Sequence, residues 1–163
     1  MAQADIARLI ETHKDQLIQQ WVAAVRADQS LKSDADLSEG GLVDHVPMLL
    51  EELCALLRAE QRPGLRNMHE ARVHAYTRFR QGYRARDLVR EIALLRQTLI
   101  DHIHTQLSGS TTNLLTFEDY FSTMHALNLY LDEELRYGVA IYTESSDASP
   151  QLHSSEPPPM PAA

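Results

Sequence analysis

Four ionisable residues, His74, Arg78, Glu91 and Arg96, fall where the pattern calls for apolar side chains, within the stretch HAYTRFRQGYRARDLVREIALLR. His74 and Arg78 are four apart and so share one helix face. Glu91 lies three residues after Leu88 and four before Leu95, while Arg96 lies four after Ile92 and three before Leu99, so both flank an apolar stripe. Polar groups in such places are costly to bury unless paired. Two kinds of chemistry are open to them. One is a polar pocket that binds a small ligand or changes state on protonation, since histidine titrates near neutral pH. The other is a fixed buried ion pair between Arg78 and Glu91 that orients two helices.

Other candidates are weaker. His69-Glu70-Ala71-Arg72-Val73-His74 has one residue more than an HExxH zinc motif, and five helical residues turn the second histidine about 140° from the first. His102 and His104, two apart, diverge in the same way, so no metal site is expected. HEAR at His69 to Arg72 partly echoes a phosphoacceptor histidine box, yet lacks the proline that should follow and any glycine-rich nucleotide-binding region. His74 near Tyr76 and Phe79 is a possible haem ligand, in competition with a structural histidine. Cys54, in the leucine run ELCALL, reads as an inert core thiol, and Glu51, Glu52, Asp132, Glu133 and Glu134 as solvated helix faces. No set of residues assembles a catalytic site, and no cofactor is identified.

The elements that must position these residues are helical. Ile6, Leu9, Ile10, Leu17, Trp21 and Val25 recur at three and four residues and predict one helix over about Ala4 to Asp28, with Trp21 in the core. A second helix, about Ser38 to Ala59, should kink or begin in earnest at Pro47. Asn67 with Glu70 resembles a cap for a third helix, which ends at Gly82 in the left-handed conformation. That turn folds it against a fourth helix, about Ala85 to Leu107, carrying Leu88, Ile92, Leu95, Leu99 and Ile103. The longest helix, about Leu114 to Thr143, has a near-heptad series: Phe117, Phe121, Met124, Asn128, Leu131, Leu135, Gly138, Tyr142. It serves either as a two-fold seam with a register-setting Asn128 or as an ordinary bundle helix. The chain therefore predicts an all-α domain of about five helices over residues 1–144, in an antiparallel bundle or a globin-like packing. Residues 145–163, SSDASPQLHSSEPPPMPAA, are expected to be a disordered Ser/Pro-rich tail or linker.

Composition narrows the class further. A chain of 163 residues with 44% hydrophobic content, six glycines and one tryptophan suits one helical domain rather than a sandwich. A single cysteine excludes an internal disulfide. The start has no signal-peptide pattern and no run reaches the roughly 18 to 20 apolar residues of a membrane span, so a cytoplasmic protein without membrane insertion is expected. Arg58 to Arg96 holds ten arginines against four acids, a net +6 that leaves −14 for the rest of a chain totalling −8. A basic centre can pair with the protein's own acidic helices or receive an anionic ligand or acidic partner. The acidic whole argues against nucleic acid.

The order of these pieces resembles the N-terminal domain family named after the RsbT co-antagonist RsbRD, a helical sensory module found ahead of stressosome effector domains and some bacterial histidine kinases. The resemblance rests on HAYTRFRQGY, then DLVREIALLR, then the closing LNLYLDEELRYGVAIYTE, and covers about Ile6 to Glu144. It implies an input domain that forms a homodimer and passes a signal through its final helix to an effector protein. It gives no catalytic residues and no general ligand. After Tyr142 there is only the Ser/Pro tail and no STAS or kinase module, so the chain reads as an excised input domain or a free-standing regulator. His74, Arg78, Glu91 and Arg96 are its ligand-binding or switch candidates, with an unidentified small molecule as possible ligand.

Overall fold

The structure, a computed structural model, describes residues 2–31, 37–64, 66–108 and 116–147. Every described element is helical: α1 (Ala2–Thr12), α2 (Lys14–Ala27), α3 (Glu39–Val43), α4 (Val46–Ala59), α5 (His69–Arg80), α6 (Ala85–Ser108) and α7 (Phe117–Asp147). The all-α expectation holds, with two of the predicted helices divided. His13 splits the first one: its ring donates to the Leu9 carbonyl at 3.1 Å, the same oxygen that its backbone N–H reaches at 3.1 Å. The two halves then take different partners. α1 lies along α4 in the same direction, through Cys54 Sγ to the Ala7 carbonyl and the Arg58–Glu11 pair, and Lys14 at the start of α2 reaches Glu51 of α4. α2 lies antiparallel on α6, through Asp28–Arg90 and Gln20–His102.

Ser38 caps α3 by accepting from Gly41 N–H at 3.1 Å. The chain breaks at Asp44 and α4 starts at Val46, so Pro47 occupies the first turn, where its missing donor costs nothing. The expected Asn67–Glu70 cap is not formed. Asn67 Oδ1 instead accepts from Gly64 N–H, and the first amides of α5, Glu70 and Ala71, donate to the Glu52 carboxylate of α4 at 2.8 and 3.2 Å. Glu52 also accepts from Tyr130 of α7 at 2.8 Å, so this acid caps one helix and ties in another rather than standing in solvent.

Gly82 ends α5 as predicted, at φ +82°, with Tyr83 N–H to the Arg78 carbonyl and Gly82 N–H to the Phe79 carbonyl. α6 consequently returns antiparallel to α5, and Leu88, Ile92, Leu95, Leu99 and Ile103 are all buried. α7 runs antiparallel to α6 (Leu88 beside Gly138, Arg96 to Asp132) and parallel to α5 (His74 to Glu134, Phe79 against Tyr142). Its near-heptad series does not form one open seam. Leu131 and Gly138 face the core, whereas Phe117 and Phe121 are exposed and stacked 6.4 Å apart. α7 also continues to Asp147, three residues into the expected tail, with Thr143 and Ser145 hydroxyls returned to the Val139 and Ile141 carbonyls. The rest of that expected tail, 148–163, lies outside the described residues. No described helix is long and apolar enough to cross a membrane.

The approach of α7 to α6 depends on Gly138. A Cβ there would stand 2.4 Å from Leu88 Cδ2 and 3.8 Å from Ala75 Cβ. Gly138→Leu is therefore expected to force α7 away and lower unfolding free energy by about 1–3 kcal/mol or more, the usual range for overpacking. Urea denaturation measures it, and an unchanged midpoint would show that the two helices separate without cost.

Candidate functional site

One turn of α5 places His74 and Arg78 on its inward face, both essentially without solvent exposure. α6 brings Glu91 between them and α7 brings Glu134, likewise fully buried. Arg78 Nε donates to Glu91 Oε1 and Oε2 at 2.9 and 3.0 Å. Its remaining nitrogens donate to the Gly41 carbonyl at 3.2 Å, Gln81 Oε1 at 2.8 Å and the Leu42 carbonyl. Tyr83 lies under the guanidinium, 5.3 Å from its carbon to the ring centre. His74 spans the two acids, with Nε2 at 3.2 Å from Glu91 Oε1 and Nδ1 at 2.6 Å from Glu134 Oε1.

The charges close on themselves: two cations against two carboxylates. Burial opposes charge on His74, but Glu134 and then Glu91 outweigh it and lift its pKa to about 9. Burial also pushes Glu91 up, yet its hydrogen bond to His74, that ring's charge and Arg78 together hold it below the usual carboxylate range. Glu134 has less support. Burial raises its pKa, His74 offsets this only in part, and its Oε2 lacks a hydrogen-bond partner. Both shifts in the His74–Glu134 pair thus favour retention of a proton within the 2.6 Å contact at neutral pH. Either placement, imidazolium with carboxylate or imidazole with carboxylic acid, leaves the buried group neutral overall.

Three of the four sequence candidates meet here and the fourth does not. Arg96 pairs with Asp132 of α7 near the surface, with side-chain exposures of 30% and 60%, instead of lying deeper along the seam. The residue missed is Glu134, read as solvated within the acidic run DEEL. Its signal was present: it stands seven residues after Leu127, three after Leu131 and four before Gly138, all buried. The haem and zinc readings lose their geometry. Both ring nitrogens of His74 are engaged, Tyr76 is 52% exposed, and Phe79 packs edge-on against Tyr142, so these three do not frame a haem. His69 is exposed at the start of α5. Cys54 is buried, with its pKa pushed up to about 12 by burial, as an inert thiol should be. Among the described residues, no three or more His, Cys, Asp or Glu side chains cluster as metal ligands.

The family described as RsbT co-antagonist protein rsbRD N-terminal domain matches residues 15–155. Comparison with curated proteins gives no match, and neither does comparison with solved structures.

Two outcomes test the seam. Arg78→Ala leaves Glu91 buried without its cation and is expected to cost about 3–5 kcal/mol, with Arg78→Lys a poor rescue because one ammonium cannot replace a fork bonded on three sides. A chemical melt with Arg78→Ala near wild type would refute that role. The raised pKa of His74 stabilises the fold in full below its ordinary value of 6.5, and that contribution is lost as pH rises from 6.5 toward about 9. Unfolding free energy should fall across this window by about 3 kcal/mol, and His74→Gln should flatten the decline. A slope shared by wild type and variant would assign it elsewhere.

Proposed function

The chain belongs to the RsbT co-antagonist RsbRD N-terminal domain family, a stressosome-type sensory and regulatory family, and from that premise we propose that it is a non-catalytic input domain relaying a signal through helix packing to an effector protein. The receiving element is the α5–α6 seam and the output element is α7. The observation that carries this reading is the His74–Glu134 contact, which connects the buried charges directly to the last helix. Loss of the shared proton, or a ligand competing for Glu134, leaves an uncompensated charge between α5 and α7 and favours a different packing of the two. The effector is a histidine kinase or stressosome module, on the same chain or on a partner.

The active form is a homodimer. The stacked, exposed pair Phe117 and Phe121 on the first turns of α7 supports a two-fold contact there, since apolar surface of this kind is favoured in interfaces. A docking role for the basic centre has one observation in its favour: Arg84 and Arg86 both rest on the single carboxylate of Asp87. Much of that centre is otherwise paired within the chain, Arg58 with Glu11, Arg90 with Asp28 and Arg96 with Asp132.

Relay predicts coupling that can be read site by site. Glu134→Gln keeps the shape but removes the charge, and hydrogen exchange should rise in α7 beyond residue 134 and in α5, with α1 and α4 unchanged. Exchange confined to the substituted turn would sink the relay. Native mass spectrometry should give a dimer that Phe117→Glu with Phe121→Glu converts to a monomer. A wild-type monomer would overturn the two-fold reading.

A further inference from the structure

Away from the seam, the helix break at His13 brings that ring against His102 of α6, with centroids 5.1 Å apart and planes inclined by 57°. The two residues are 89 positions apart in the chain. His13 Nδ1 faces the Leu9 carbonyl at 3.1 Å, and a carbonyl only accepts, so Nδ1 carries the proton. His102 Nδ1 faces Gln20 Oε1 at 3.3 Å, which selects the same tautomer. In that tautomer of each ring the lone pair lies on Nε2.

His102 is 4% exposed, and its Nε2 is a buried atom with no hydrogen-bond partner among the described residues. A tilted ring contact alone accounts for the spacing but leaves that nitrogen unexplained. Histidines that bind metals are held in this way, with the opposite N–H donated to a carbonyl oxygen so that the free nitrogen is fixed and basic. The spacing fits as well. Two imidazoles on one tetrahedral ion, with a metal–nitrogen distance of about 2.05 Å and a ring centre about 1.15 Å behind each nitrogen, have centroids about 5.2 Å apart.

We propose that His13 and His102 form a two-imidazole site for a borderline divalent transition ion of the Zn2+ class, bridging the α1–α2 break to α6. The remaining positions are left to solvent, with an adjoining cleft of about 250 Å³ lined by His102, Gln16 and Gln20. With two protein nitrogens rather than four ligands, the site is exchangeable rather than a closed structural centre. Because the folded chain alone holds the two rings together, the ion stabilises the fold in proportion to its free concentration.

The test is titration of the metal-free full chain with Zn2+ in competition with a chromophoric chelator, followed by thermal melting with and without the ion. One ion per chain and a higher Tm are expected. His13→Gln and His102→Gln should each weaken binding by about tenfold or more, while His104→Gln, on another face of α6, should leave it unchanged. Cu2+ added to the unaltered chain supplies a readout that does not depend on a variant folding: its electron paramagnetic resonance spectrum should show two imidazole nitrogens. Unsaturable binding, binding indifferent to both glutamine variants, or a Cu2+ spectrum with fewer than two imidazoles would overturn the site.

Discussion

A guanidinium cannot give up its proton, so burying Arg78 at the centre of a helical domain obliges the protein to surround it with acceptors. The acceptors come from three directions: the Glu91 carboxylate on α6, the carbonyls of Gly41 and Leu42 on α3, and the Gln81 side chain at the end of α5. Each contact fixes an element that could otherwise slide. α3, only five residues long, has little stability of its own and is held through its carbonyls. Glu91, once in place, supports His74, and His74 holds Glu134 on α7. The last helix is thus joined to the core by a chain of charged hydrogen bonds as well as by apolar packing.

That arrangement differs from the surface pairs in what it does energetically. Arg58–Glu11, Arg90–Asp28 and Arg96–Asp132 are partly exposed, and pairs of that kind contribute at most modestly to stability. The central four groups gain little net energy relative to an apolar core, but each is indispensable once the others are present. Such a set has few acceptable states, because any change of one charge must be answered by another. A purely apolar interface, by contrast, deforms by small repacking.

The α7 helix sits at the junction of these constraints. Gly138 lets it approach Leu88 and Ala75, Tyr130 reaches back to Leu49 and Glu52 of α4, and Glu134 enters the charged seam. Its first turns carry Phe117 and Phe121 outward. One helix therefore meets the buried charges at its middle and offers apolar surface at its beginning.

Much of this was legible in the residues. Helical periodicity identified the all-α class, the buried faces of α6, the core position of Trp21, the inert Cys54 and the left-handed turn at Gly82, because these follow from local spacing and backbone sterics. The same spacing picked out His74, Arg78 and Glu91 as polar groups on apolar stripes. Other features needed the tertiary structure, and for a common reason: they are pairings between helices distant in sequence. Glu52 displaces the local Asn67–Glu70 cap because it arrives from α4 with both carboxylate oxygens aimed at the α5 amides. Glu134 is buried because α7 turns that face to His74, while Arg96, on an equally plausible stripe edge, reaches Asp132 at the surface. The sequence by itself determined which segments are helices and which polar residues interrupt their apolar faces. Only the packing decided which of those residues meet and at what depth, since a charge is tolerated in the interior only where groups from neighbouring helices surround and pair it.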